Sequence, residues 1–501
     1  MPATRRGYTT TDGRRDLRQL SHAARRTCDA HPLVAEARCG EPSPMAALTQ
    51  KTGDLDAAIV AVGTDLAKRM PAPGPLSPAR AERRMTEMLT EDPALRAALF
   101  RFVDVRPACT TPADVTRHLQ ELLDDADESR TARRAGRLVG APLAKRPIAA
   151  AAARGVNHMA HRFIVGEDAA KALPVIERLW RDGVATTVDL LGEATVTESE
   201  ADRYAQRCEE ALRTLTAAAP NWSNQSANWS DQSLLERDSS GALPRVNLSV
   251  KVSALTPLLR ASAPERGIEG ARDRLRHLLR VARDTGAHLH VDMESLDTRE
   301  AVTRLTLELL SEPEFADGPS AGIVLQAYLT DSPQQLDELL SWQRATPRAY
   351  PLTIRLVKGA YWDHEVVEAA QHGWQAPVFT DRRACDRNFE ALTKRLLEAV
   401  PDVRVAIASH NLRSIAHACA YADALGLDRG DLELQVLRGL GDDTQAAIAA
   451  TGRRVRTYCP VGDLVAGMAY LVRRLLENTA NDSFLAATAA GTDPLTLLEA
   501  P

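Results

Sequence analysis

Residues 403–425, VRVAIASHNLRSIAHACAYADAL, hold two periodicities side by side. Val403–Ser409 is a short apolar β-type run, and Leu412–Leu425 carries apolar residues at spacings of three and four. The polar residues Ser409, His410 and Asn411 separate them. A strand feeding straight into a helix is the repeating unit of a parallel sheet, because parallel neighbours need a long crossover. The same unit recurs on both sides. Ala185–Leu190 precedes Ala201–Leu215, Val246–Val252 precedes Gly270–Thr285, Ala287–Asp292 precedes Thr298–Leu310, and Gly322–Tyr328 precedes Ser332–Gln343. Leu352–Val357 then precedes Asn388–Val400, Glu433–Leu437 precedes Asp442–Thr451, and Val455–Cys459 precedes Val465–Asn478. Eight right-handed units predict an α/β fold, a (β/α)8 TIM-like barrel with helices outside. An open doubly wound sheet would advertise a glycine-rich phosphate turn after its first strand; neither GxGxxG nor GxxxxGK[ST] occurs.

The rest of the 501 residues divide around this body. Residues 1–45 mix Arg, Thr, Gly and Pro without an apolar period and read as a disordered extension. They have no apolar signal core, and Asp12, Asp16 and Asp29 set them apart from an acid-poor transit peptide. Residues 46–153 read as an α-helical arm, with helical periodicity over Asp54–Arg69, Ser77–Thr90, Pro93–Phe102 and Pro112–Leu123. The barrel is expected over 154–485 and a tail over 486–501. Between the first helix and second strand of the barrel, residues 221–233 repeat Asn-Trp-Ser, which reads as a polar surface loop.

A net charge of −5 supplies no basic field for nucleic acid. Seven cysteines, odd in number and without a CxxC pair, argue against a disulfide framework and a structural zinc, so a reducing cytoplasm fits best. No apolar run is long enough to span a bilayer.

In a barrel of this kind chemistry is read at the C-terminal ends of strands, where the loops converge. The polar residues there are Lys251, Asp292 with Glu294, Gln326, Arg355 with Lys358, His410 with Asn411, Gln435, and Tyr458 with Cys459. Each alone reads as a packing salt bridge. Together they predict a mouth for an anionic, ring-bearing ligand, because charged groups inside parallel strands are costly unless paired. Lys358-Gly359 fits a backbone-plus-cation phosphate contact, and Trp362 offers a stacking face. No metal is expected: the competing site, His410 with Asp292 and Glu294, needs histidines from several strands. His288 and His290 share one face of their strand, and Asp292 is expected to face the other way. In the last helix, Arg473 and Arg474 precede Glu477 by four and three residues. That spacing allows either an intrahelical ion pair or a bidentate carboxylate clamp.

As a set these motifs closely resemble the proline dehydrogenase domain found in bifunctional proline utilization A flavoproteins. The matching stretches are Asp189–Ala194, Ser249–Leu255, Ile354–Asp363, Ser409–Asn411, Tyr458–Gly462 and Tyr470–Asn478. The resemblance implies FAD-dependent oxidation of L-proline to 1-pyrroline-5-carboxylate with electrons passed to a quinone. It implies that Arg473, Arg474 and Lys251 pair with the proline carboxylate, with Glu477 among the residues of the site. Tyr458 and Leu437 would pack on the ring, Asp292 would organise the pocket, and Glu193 would close it onto an arginine of the last helix. Gln326, Arg355, Lys358, Gly359, Trp362, His410 and Asn411 would contact FAD. Arg382 and Cys385 depart from the usual Lys and Thr in the loop expected to meet the adenosine. In these relatives an aldehyde dehydrogenase domain follows the barrel, so the chain is expected to stand alone or to be the N-terminal part of such a product. A peripheral contact with the inner face of the membrane and an oligomer both stay open, as does a catalytically silent barrel. No ribbon-helix-helix segment predicts DNA binding.

Overall fold

The structure is a computed structural model that describes residues 55–71, 91–126, 128–140, 161–192, 195–222, 233–463, 467, 470 and 496–501. Among these, eight parallel strands close into a barrel. They are β1 (Ala185–Leu190), β2 (Asn247–Val250), β3 (His288–Val291), β4 (Ser320–Gln326), β5 (Thr353–Val357), β6 (Arg404–Ala408), β7 (Leu432–Leu437) and β8 (Val455–Val461). Each pairs with its neighbours in sequence, and β1 closes the ring on β8 through Val188↔Cys459 and on β2 through Val188↔Leu248. All eight fall where the apolar runs place them.

Helices follow the strands as crossovers. Glu198–Ala218 follows β1, Pro264–Thr285 follows β2, Leu296–Leu310 follows β3, and Ser332–Ala345 follows β4. Arg382–Glu398 follows β5, Leu412–Leu425 follows β6, and Asp442–Ala450 follows β7. Their starts obey local chemistry: Thr197 and Glu200 form a reciprocal capping box, and Asp381 caps Arg383 and Ala384. Gly286, Gly373 and Gly426 end helices in the left-handed conformation that glycine adopts without steric cost. The helix expected over Val465–Asn478 lies outside the described residues, apart from Gly467 and Tyr470. So do residues 1–45, the helix expected over Ser77–Thr90, and most of the 221–233 loop.

Three segments differ from the sequence reading. Ala169–Arg181 is a helix despite Pro174 inside it, with Asp168 capping its start. Trp362–His372 adds a helix between β5 and its crossover. Trp222, expected in a polar loop, is buried against Trp180, whose ring also lies under the Arg245 guanidinium at 5.3 Å.

The expected arm is also two things. Pro93–Val105, Pro112–Asp125 and Arg130–Gly140 share an apolar cluster that includes Phe100, Phe102 and Leu119 and extends to Phe163, Ile164 and Leu191. Leu55–Arg69 instead packs on Leu412–Leu425, as part of the barrel's outer layer. A small residue tightens the fit. A Cβ on Gly63 would stand 2.3 Å from a Leu498 methyl, so a larger residue there would push that side chain aside. Arg413 fastens the junction, donating to Asp56 at 3.0 Å, to Glu390 at 2.8 Å and to the Leu498 carbonyl at 2.8 Å.

Candidate active site

Side chains alternate along each strand, so every second residue points into the barrel. On β3 these are His288 and His290, and the next residue in the same phase is Asp292. The expectation that Asp292 turns away from the two histidines is therefore wrong. All three are buried, and the chain of polar contacts runs from Ser320 through His288 to His290. Room for the His290 ring comes from Gly322 on the neighbouring strand, where a Cβ would lie 2.3 Å from the imidazole.

Asp292 is the hub of the mouth. Its Oδ1 accepts from Arg355 Nη1 at 2.8 Å and from the Ser249 hydroxyl at 3.0 Å. Its Oδ2 accepts from the Tyr458 hydroxyl at 2.6 Å and from Lys251 Nζ at 3.4 Å. Lys251 also donates to Asp189 Oδ1 at 2.5 Å. Burial opposes the charge on Asp292, but Lys251, Arg355 and the Tyr458 hydroxyl outweigh it and hold its carboxyl below the usual range. Burial pushes the Tyr458 phenol far up, with Asp189 and Asp292 adding to it, so that group donates and does not ionise. Two strand carboxylates thus face two cations, and Tyr458 is fixed by its hydroxyl with its ring 5.5 Å from the Arg355 guanidinium. Lys251, Asp292, Arg355 and Tyr458 come together from β2, β3, β5 and β8.

Among the described residues, two atoms of this mouth are buried without a hydrogen bond, Arg355 Nε and Gln326 Oε1. Gln326 uses its amide nitrogen on the Glu294 carbonyl at 3.1 Å. An unmet donor and an unmet acceptor on adjoining strands suit a ligand that carries both functions.

On the far side, His410 Nε2 accepts from the Leu437 backbone amide at 2.9 Å, which fixes that nitrogen as the unprotonated one. Gly441 makes this possible, since a Cβ there would press on the ring. Lys358 reaches Asp386 at 2.6 Å while remaining half exposed. Gly359 has φ +127°, and a Cβ would overlap the Tyr328 ring, so the turn after β5 accepts only glycine. Trp362 is exposed and donates through Nε1 to the Phe379 carbonyl.

Other residues have local partners of their own. The Asn411 amide oxygen caps the helix Leu412–Leu425 by accepting from Arg413 and Ser414. Gln435 does not belong to the mouth; it donates to Glu433 at 2.6 Å, inside the barrel. Cys385 is on a helix and not in a loop, packed with Tyr328, Leu329 and Val378, where burial pushes its thiol up to about 11. Arg473, Arg474, Glu477 and Glu193 lie outside the described residues. Sequence reasoning passed over Asp189 and Ser249, although an acid inside the run Ala185–Leu190 is the same signal that picked out Lys251.

Comparison with known proteins now bears on this mouth. The sequence model described as proline dehydrogenase matches residues 172–487, and that described as the proline utilization A N-terminal domain matches residues 56–163. The chain belongs to the proline dehydrogenase family. Bifunctional protein PutA of Salmonella typhimurium is 32% identical over 388 residues, covering 76% of this chain and 27% of that protein. Proline dehydrogenase 1 of Bacillus subtilis is 26% identical over 335 residues, covering 67% of this chain and 92% of that protein. Among solved structures, proline utilization A from Bdellovibrio bacteriovorus, inactivated by N-propargylglycine, superposes with a TM-score of 0.79 at 36% identity, covering 89% of this chain and 44% of that one. The chain therefore spans about a quarter of the length of the bifunctional Salmonella relative.

Proposed function

We propose that this chain oxidises L-proline to 1-pyrroline-5-carboxylate with FAD as cofactor and a quinone as final acceptor. The observation that carries the reading is the Asp292 hub. It locks Lys251, Arg355 and Tyr458 into one arrangement at the barrel mouth, in a chain of this family.

FAD fits the residues present. The orphaned Arg355 Nε and Gln326 Oε1 offer a donor and an acceptor to a flavin ring, which carries both functions. Lys358 would supply a half-exposed cation for the phosphates beside the turn that Gly359 makes, and Trp362, His410 and Asn411 would contact the cofactor with them. When bound, FAD supplies the acceptor for a hydride from the substrate carbon beside nitrogen.

The protein's own share is to position the substrate. A small rigid ring held at one end has little freedom left, and fixing that geometry supplies most of what such a transfer needs. Lys251, with Arg473 and Arg474, holds the carboxylate. Tyr458 presents its ring at a set angle, because its hydroxyl is tied to Asp292. Leu437 presents an apolar side chain beside it, at the strand end where its amide is tied to His410. Glu193 and Glu477 orient the arginines. Asp292 and Asp189 keep Lys251 from moving into the space the ring requires. The quinone would be met at the inner face of a membrane; none of the described helices is long and apolar enough to cross one.

The test is anaerobic addition of proline to the purified protein, with loss of flavin absorbance as the readout. Bleaching by proline, followed by return of the colour on adding a quinone, is expected. A protein that retains no flavin, or whose flavin stays oxidised, overturns the proposal.

A further inference from the structure

The opposite end of the barrel holds a second ionic cluster, and its charges do not balance. The hairpin formed by Arg237–Asp238 and Gly241–Ala242 lies there and carries Asp238 in, 3% exposed. Arg404 binds Asp238 through Nε at 2.8 Å and Nη2 at 3.2 Å, and Nη2 also donates to the Ala242 carbonyl. Arg456 donates to Glu433 at 2.8 Å and to the Thr186 carbonyl at 2.7 Å. These two arginines use the two acids. A third, Arg454, shares the same two acids as ion-pair partners without hydrogen-bonding to either. It is 2% exposed, stands 3.3 Å from Glu433 and 3.9 Å from Asp238, and makes no hydrogen bond through Nε or Nη1.

All three arginines line one cavity, together with Asn247, His288, Ser320, Thr353 and Glu433. His288 adds no compensating acid. Burial, with Arg456 nearby, holds its imidazole well below the usual value, so it is neutral. Among the described groups the three guanidinium charges therefore have two carboxylates within 4 Å, Asp238 and Glu433. One buried positive charge without a hydrogen-bonded counter-charge is costly enough to demand an anion. The free space, about 20 Å³ for the centre of a water-sized group, has room for about one such group.

We propose that this cavity is a binding site for one small monovalent anion of halide size, seated against Arg454. Its charge would complete the cluster, and its lack of directionality suits a guanidinium whose donors are aimed at no single acceptor. The occupant is a structural ion, remote from the mouth, and the proposal does not rest on the enzyme's activity.

Thermal unfolding of the flavin-loaded protein in sodium chloride or bromide, against sodium gluconate at equal ionic strength, tests it. Gluconate is too large for the cavity. A saturable rise in Tm of about 2 °C or more with either halide is expected. Two variants sharpen the test. Arg454→Met should abolish the halide dependence. Asn247→Asp, which places a fixed negative charge in the same cavity, should abolish it while keeping a Tm near that of the halide-saturated parent. Should Arg454→Met fail to fold, anomalous scattering from bromide in crystals of the parent decides, with a peak expected in the cavity against Arg454. Equal Tm in halide and gluconate, a halide effect that survives Asn247→Asp, or an empty cavity in bromide overturns the proposal. A peak without any Tm effect is binding at crystal concentration only, and overturns it too.

Discussion

The two ends of this barrel are built from the same materials and differ in what is left unsatisfied. At the mouth, Asp292 and Asp189 face Lys251 and Arg355, so the described charges cancel, and the unmet atoms are single polar groups on Arg355 and Gln326. At the floor, Arg404, Arg454 and Arg456 face Asp238 and Glu433, and a whole charge is left over. A balanced cluster can be opened to a neutral or zwitterionic substrate without a large electrostatic penalty. An unbalanced one is better closed around an ion. The mouth is therefore expected to govern chemistry and the floor to govern stability, and substitutions should separate the two.

The largest effect belongs to the floor. Arg404→Met leaves Asp238 buried without its bidentate partner, and should cost about 3–5 kcal/mol of stability. Urea denaturation at fixed flavin content measures it, and a loss below about 1 kcal/mol would erase the distinction between the ends.

Acid should attack the same cluster. Burial works against the Glu433 charge, but Arg456 and Arg454 overcome it and bring its carboxyl down to about 2. Because the folded value lies below the unfolded one, the stabilisation is present above the unfolded pKa and disappears as pH falls through the folded one. This contribution, about 3 kcal/mol from the size of the shift, should fade between about pH 4.5 and pH 2. In Glu433→Gln the dependence of unfolding free energy on pH over that window should flatten; an unchanged slope would move the effect to another carboxylate.

Next comes the mouth. Asp292→Asn keeps the shape but releases Lys251, Arg355 and Tyr458 from their shared acceptor, and should lower kcat/KM for proline by roughly 10²-fold with flavin content retained. Its Tm should move less than that of Arg404→Met. The opposite ranking would reverse the comparison.

The smallest effect is expected on the barrel's outside, where Arg280 and Glu314 pair across two segments in solvent. Arg280→Ala should leave the midpoint of urea denaturation close to that of the parent, with any difference shrinking as salt is added. A clear fall in the midpoint would show that the outer ion pairs, and not the two interior clusters, hold the barrel closed.

Much of the fold was legible because its signal is local. A buried parallel strand must be apolar on both faces, so the eight runs stand out from the helices between them, and strands β1 to β8 fall on those runs. The mouth was legible for a related reason: Lys251, Asp292, Arg355 and Tyr458 interrupt runs that should tolerate no polar atom. The misreadings arise where one residue serves two ends of the chain. Gly63 gives no sequence sign that Leu498 will lie against it, and nothing local in Leu55–Arg69 separates an arm from a barrel helix. Cys385 gives no sign that its thiol packs beneath Tyr328.

By itself, then, the sequence determined the class of fold, the positions of the strands to within two residues and the residue types gathered at the strand ends, all of which follow from hydrophobic periodicity. Only the tertiary structure decided which charges meet. Asp189 and Asp292 both reach Lys251 although they stand 62 and 41 positions from it in the chain, and Arg404 meets Asp238 across a separation of 166. Barrel closure sets those distances, through the register of eight strands and the alternation of side chains along each. Neither is a property of any one segment, and together they decide that one end balances its charge while the other keeps one in excess.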